Sequence, residues 1–210
     1  MTRVSVLIIL LLLSVGLCFG QNDEFNRKED LKGLNISAAT GIWTANGELS
    51  VAGTHGTLGF QVGTYGKFFS INFRVYEHRF GSSENNIPVV FNGLNELRPY
   101  VSGLYTGLDL CIPVMRKGAF DIELLGSAGW EGFSTSASSS RDLEFSTGSF
   151  AGGLGMKYFF SELIYSGLES RMSFLNYSTK DEQTINGNAL SFKLSIGFVL
   201  PLASIDLIPK

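Results

Sequence analysis

Two histidines, His55 and His78, are the only imidazoles in the chain, so proton transfer by imidazole has to begin with one of them. Glu77 precedes His78, and Ser82 and Ser83 follow it closely. A base, an acid and a hydroxyl nucleophile in one short segment are the parts of a lipid-directed hydrolase. Adjacent residues of an extended strand point to opposite faces, however, so Glu77 cannot orient His78. Neither histidine lies in a lipid-A deacylase or palmitoyltransferase signature. No His/Cys/Asp/Glu spacing fits a metal site and no glycine-rich loop cradles a phosphate. The expectation is a chain with no catalytic, cofactor-binding or metal residues.

The second set that could do chemistry is ionic. Arg74, Lys157, Arg171 and Lys193 stand against Asp109, Asp121, Glu123 and Glu169, all well inside segments that read as strands. Four charges of each sign form a balanced set, and isolated charges away from water are costly, so these should pair. Asp109 and Asp121 would face each other across a hairpin around Met115. Facing carboxylates repel and are the raw material of a catalytic dyad; neutralisation by Lys157 or Arg74 is the expected outcome.

The elements that hold these residues are extended. Leu190, Phe192, Leu194, Ile196, Phe198 and Leu200 alternate with Ser191, Lys193, Ser195, Gly197 and Val199. A period of two puts the large apolar side chains on one face and the small or polar ones on the other. The run is long enough to cross a bilayer as a tilted strand. Similar alternation predicts strands over 33–44, 57–65, 68–77, 100–112, 119–133, 145–159 and 163–177, eight in all. Leu108, Phe120, Leu154, Leu168, Phe192 and Ile196 are expected to face lipid. Connections alternate strictly between long (45–56, 80–98, 134–144, 178–188) and short (65–67, 113–118, 160–162), which puts all short turns at one end of a meander. Pro88, Pro99, Pro113, Pro201 and Pro209 all fall outside ladder interiors. Aromatics gather at both proposed rims: Phe68, Phe69, Tyr158, Phe160 and Phe198 at the short-turn end, Trp43, Tyr76, Trp130 and Tyr177 at the loop end.

The 210 residues begin with Arg3 and an apolar run, Val4 to Leu13, broken only by Ser5, ahead of Cys18-Phe19-Gly20. Residues 1–20 thus read as a cleaved signal peptide; Leu17 before Cys18 argues against lipoprotein processing. Residues 21–32 read as a polar periplasmic tail, 33–200 as one barrel and 201–210 as a periplasmic extension. After cleavage Cys111 stands alone, so no intrachain disulfide forms, and it is expected to be a small buried residue. Charged residues are only 17% of the chain, below the ~25% of soluble domains. A formal net charge of −3 gives no electrostatic basis for a nucleic-acid partner.

In pattern the chain resembles the small eight-stranded outer-membrane proteins of the OmpA-transmembrane-domain, OmpX and OmpW kind, over nearly its whole mature length. The resemblance implies a closed, all-β, eight-stranded antiparallel up-and-down transmembrane β-barrel in the bacterial outer membrane, with short periplasmic turns and both termini in the periplasm. Ser195-Ile196-Gly197-Phe198-Val199-Leu200-Pro201-Leu202 is similar to the C-terminal signal read by barrel-assembly machinery, although the chain continues to Lys210 and has no terminal aromatic. The expected partners are outer-membrane lipid, the assembly machinery during insertion, and a protein at loop 80–98, where Ile87, Val89, Val90 and Phe91 are apolar. Those four residues could equally fold over the barrel mouth. The expected role is non-enzymatic: a barrel plugged by side chains, acting structurally or through its outer loops in adhesion, envelope integrity or a complex. The alternatives are a soluble lipocalin-like carrier with the apolar face turned inward, and a narrow pore or secretion component.

Overall fold

The computed structural model describes residues 31–78, 86–91, 94–135, 143–178 and 184–201. Its strands are β1 (Gly33–Gly47), β2 (Thr54–Tyr65), β3 (Ser70–His78), β4 (Asn86–Phe91), β5 (Leu94–Lys117), β6 (Phe120–Thr135), β7 (Leu143–Phe159), β8 (Ile164–Ser178) and β9 (Thr184–Pro201). A 3₁₀ turn, Glu48–Ala52, joins β1 to β2. Every neighbouring pair is antiparallel, and the sheet closes on itself where β1 pairs with β9, Gly33 opposite Pro201 through Gly47 opposite Gly187. β3 pairs with β5, so eight strands make the closed wall. Closure leaves the wall no unpaired strand edge, the condition for crossing lipid with strands.

The ninth strand departs from expectation. The segment 80–98, read as a loop, contains β4 and the start of β5, paired from Asn86 opposite Pro99 to Phe91 opposite Leu94. Asn92-Gly93 between them is a sequence signal for a two-residue hairpin connection that the loop reading passes over. Elsewhere the bounds move: β5 and β9 begin six residues earlier than expected, at Leu94 and Thr184, whereas β3 begins two residues later, at Ser70. The turn expected over 113–118 narrows to Gly118-Ala119, because β5 carries a bulge between Pro113 and Met115 and continues to Lys117. Gly118, at φ 56, supplies the left-handed conformation there.

Alternation sets the two faces. Leu108, Phe120, Leu154, Leu168, Phe192 and Ile196 point outward and are 43–57% exposed. These six alone leave on the order of 500 Å² of apolar surface uncovered, as much as the largest patch on a soluble monomer. The wall therefore suits a lipid solvent. At mid-barrel the inward set is polar and charged, the reverse of a carrier with an apolar ligand cavity.

The interior is layered. At the short-turn end Leu31, Tyr65, Phe159, Tyr165 and Val199 pack together. Tyr65 meets Phe159 edge-on at 5.9 Å, and Tyr165 lies 5.3 Å from the same ring. Leu31 belongs to the segment expected to be a polar tail, yet its side chain is part of this layer. At the loop end a second apolar cluster contains Trp43, Leu49, Ile87, Val89, Phe133, Phe145, Leu175, Tyr177 and Ile185. Ile87 and Val89 are buried, so the β4–β5 hairpin sits over the barrel mouth and contributes to its packing. Residues 1–30, which include the segment read as a signal peptide, and 202–210 lie outside the described residues, as do Ser82 and Ser83.

Candidate functional site

The charged side chains lie between the two apolar layers. Arg74 of β3 reaches Asp109 Oδ2 of β5 at 2.5 Å and Glu169 Oε2 of β8 at 3.0 Å. Arg171 of β8 reaches the same two oxygens at 2.6 and 2.9 Å. Two guanidinium groups and two carboxylates thus close a ring inside the barrel, and Arg171 Nη1 also donates to Ser127 Oγ on β6. Planar guanidinium forks suit this, since each bridges two acceptors in fixed geometry. Nearer the short turns, Lys157 of β7 donates to both oxygens of Glu123 on β6 at 2.8 Å. Tyr65 OH donates to Asp121, and Arg116 Nε lies 3.5 Å from the same carboxylate. Lys193 Nζ sits 3.7 Å from the centroid of the Tyr76 ring, within cation–π range.

All eight charges expected inside are buried there. One relationship expected among them is absent. Asp109 and Asp121 do not face each other: the ladder sets Asp109 opposite Ser127 and Asp121 opposite Arg116. β5 runs five residues past its expected end at 112, to Lys117, which moves the hairpin tip and slides the register. Asp109 is neutralised by Arg74 and Arg171, and Asp121 lies beside Arg116, a residue not considered for this role. A dyad does not form.

Both histidines are buried at the outer end of the lumen, beside Trp43. The Trp43 ring centroid lies 5.8 Å from that of His55 and 5.3 Å from that of His78. His55 Nε2 is paired with the Ala52 carbonyl. Glu77 points outward while His78 points inward, as strand alternation requires. An acid does stand beside His78, and it is Glu131 of β6, 3.5 Å away. Glu131 was missed although its odd number puts it on the face of Asp121 and Glu123, two residues beyond Gly129. Ser149 Oγ donates to Glu131 at 3.4 Å. The carboxylate, not the imidazole, therefore stands between the other two groups, the wrong order for activating a serine. Among the described residues, no group of three or more His, Cys, Asp and Glu side chains could hold a metal ion.

The loop-end aromatics divide. Trp130 faces outward, but Trp43, Tyr76 and Tyr177 face inward and are buried, which corrects their reading as an outer girdle. Their height along the strands suits a girdle; their parity does not. At the short-turn end Phe68, Phe69 and Phe198 are exposed, and Tyr158 packs against Phe120 at 4.9 Å and Phe160 at 5.3 Å. Cys111 is buried as expected and lies 3.5 Å from Asn72 Nδ2.

A closed wall of eight antiparallel strands, apolar outside and ion-paired inside, is the architecture of small outer-membrane barrels. Solved structures agree. Neisserial surface protein A superposes with a TM-score of 0.64 at 9% identity, over 80% of this chain and 97% of its own. A major outer membrane protein from Thermus thermophilus gives 0.53 at 7% identity, over 80% of this chain and 99% of its own. At such identities the likeness is one of fold. No protein-family model and no curated protein matches the chain.

Proposed function

We propose that the protein is a non-enzymatic, non-conducting barrel of the bacterial outer membrane that acts structurally and through its outer face. One observation carries the reading: the ionic layer at mid-barrel is bounded by an apolar layer at each end. A lumenal void beside Cys111, Glu123 and Lys157 measures about 10 Å³, room for a single water molecule at most. An ion entering this path would have to break the Arg74–Asp109–Arg171–Glu169 ring, and the ring is fixed from three strands. On this reading, which the alternation of long and short loops supports, the termini lie in the periplasm and the final strand serves as the segment read during assembly.

Planar-bilayer recording of the pure protein tests the reading. No steady conductance is expected from the monomer; stable, ion-selective channels would replace it with a pore. The non-enzymatic part is tested by assaying lipid hydrolysis and acyl transfer, with His55→Ala and His78→Ala as controls. Turnover lost on either substitution would overturn it.

A further inference from the structure

The outer wall carries a cleft of about 630 Å³ near the loop end, and no lumenal residue role accounts for it. Its floor is one row across five strands. Glu77 pairs with Leu104, Leu104 with Gly132, Gly132 with Ser146, and Ser146 with Ser178. Above this row lie Ser102, Ser134 and Glu144, themselves cross-strand partners; below it lies Trp130. Two departures from regular pairing flank the cleft. β5 bulges between Tyr100 and Ser102, and the β7–β8 ladder is interrupted between Ser146 and Phe150. Bulges of this kind bend a strand and re-aim its side chains.

Height places the cleft. On β6 the outward side chains are apolar or small from Phe120 through Ile122, Leu124, Gly126 and Ala128 to Trp130, and then change to Gly132 and Ser134. At ~3.4 Å per residue and a tilt near 40°, that advance spans about 25 Å, the height of the apolar band of an outer-membrane barrel. The cleft therefore begins where the hydrocarbon ends, at the level of the outer-leaflet headgroups.

The chemistry is that of a saccharide site. The Trp130 indole lies over Gly132: a Cβ there would fall 2.5 Å from its Cη2 and 2.8 Å from its Cζ2. Absence of that atom lets the ring lie along the wall, 45% exposed, as a flat platform. Four serine hydroxyls and two carboxylates surround it, and no lysine or arginine occurs among the described residues lining the cleft. An indole face takes the C–H face of a pyranose, while hydroxyls and carboxylates accept and donate around a ring of sugar hydroxyls. A site selecting phosphate would present cations instead.

We infer that this cleft binds the sugar headgroup of an outer-leaflet glycolipid, with Trp130 as stacking platform and Ser134, Ser146, Ser178 and Glu144 as hydrogen-bonding partners. The inference rests on the outer-membrane reading above. Trp43→Phe leaves Trp130 as the single tryptophan reporter, because the chain has two. This variant is refolded into phosphatidylethanolamine/phosphatidylglycerol vesicles containing increasing fractions of lipopolysaccharide, and heat-modifiable migration checks insertion. Trp130 should become protected from acrylamide in a saturable way as lipopolysaccharide is added. Adding Gly132→Ala should displace the ring and weaken half-saturation about threefold to tenfold, the size of one aromatic contact. Glu144→Gln should weaken it with the ring in place. Failure to insert would sink the outer-membrane reading. Insertion with Trp130 equally accessible in all vesicles, or with half-saturation unmoved in both variants, would overturn the saccharide site alone.

Discussion

Lys157 Nζ lies 2.8 Å from each carboxylate oxygen of Glu123, and both side chains are almost wholly withdrawn from solvent. Removing one partner of such a pair strands a charge, whereas replacing both with apolar groups of similar volume can be neutral. Glu123→Ala should destabilise the barrel by about 3–5 kcal/mol, and Glu123→Leu with Lys157→Met by much less. Urea unfolding in lipid vesicles reads both. Equal losses in the two variants would mean that packing, not charge, is at stake.

The Arg74–Glu169 contact joins residues 95 positions apart, on strands that do not neighbour each other. Arg74→Met and Glu169→Gln should be strongly non-additive, with a coupling of about 1–3 kcal/mol in a double-mutant cycle. Additive losses would show that each arginine is held independently by Asp109.

Leu108 should be a costly site for charge and Leu97 a cheap one. Leu108 lies at mid-wall and faces lipid; Leu97, 69% exposed, lies on the hairpin above the apolar band. A lysine at Leu108 should cost about 2–4 kcal/mol and at Leu97 about 0–1. Equal costs at Leu108 and Leu97, measured by refolding into vesicles, would reverse the assignment of faces.

The β4–β5 hairpin should behave as part of the barrel. A loop tip tolerates replacement, and the sequence alone suggests that exchanging Ile87 to Phe91 for a Gly/Ser turn leaves the fold intact. Ile87 and Val89 are instead packed into the cluster at the mouth. Ile87→Ala should lower stability by about 2–5 kcal/mol. Proteolysis at the outer end, followed by mass, would then reveal early cleavage near the mouth. An unchanged unfolding midpoint would return the hairpin to loop status.

Most of the wall was legible because alternation in a half-polar strand has a single physical meaning, and because turn lengths distinguish the two ends. The eight inward charges followed from the same parity. Their partners did not. Arg74 and Glu169 meet only because a closed sheet folds distant strands across one lumen, and no local pattern encodes that distance. Asp121 was misplaced by a turn assigned too early, at Pro113, where a bulge lets the strand continue. Trp43, Tyr76 and Tyr177 were misread because position along a strand was weighed above side. Glu131 was open to discovery by counting on from Glu123 in steps of two. Trp130 as a platform was not, since the ring's posture depends on the missing Cβ of Gly132.

The seam between β1 and β9 makes the first and last strands of the wall mutual partners over fifteen aligned positions, from Gly33 and Pro201 to Gly47 and Gly187. Until the last strand has been delivered, β1 has nothing on one side, and the intervening hairpins cannot supply a substitute. Contacts of such long sequence separation form late and slowly. An incompletely exported chain would thus expose one bare strand edge and a lipid-seeking face to water together, a combination prone to aggregation. The ring closes in one final act of docking, so the whole polypeptide has to be kept apart from itself until its tail arrives.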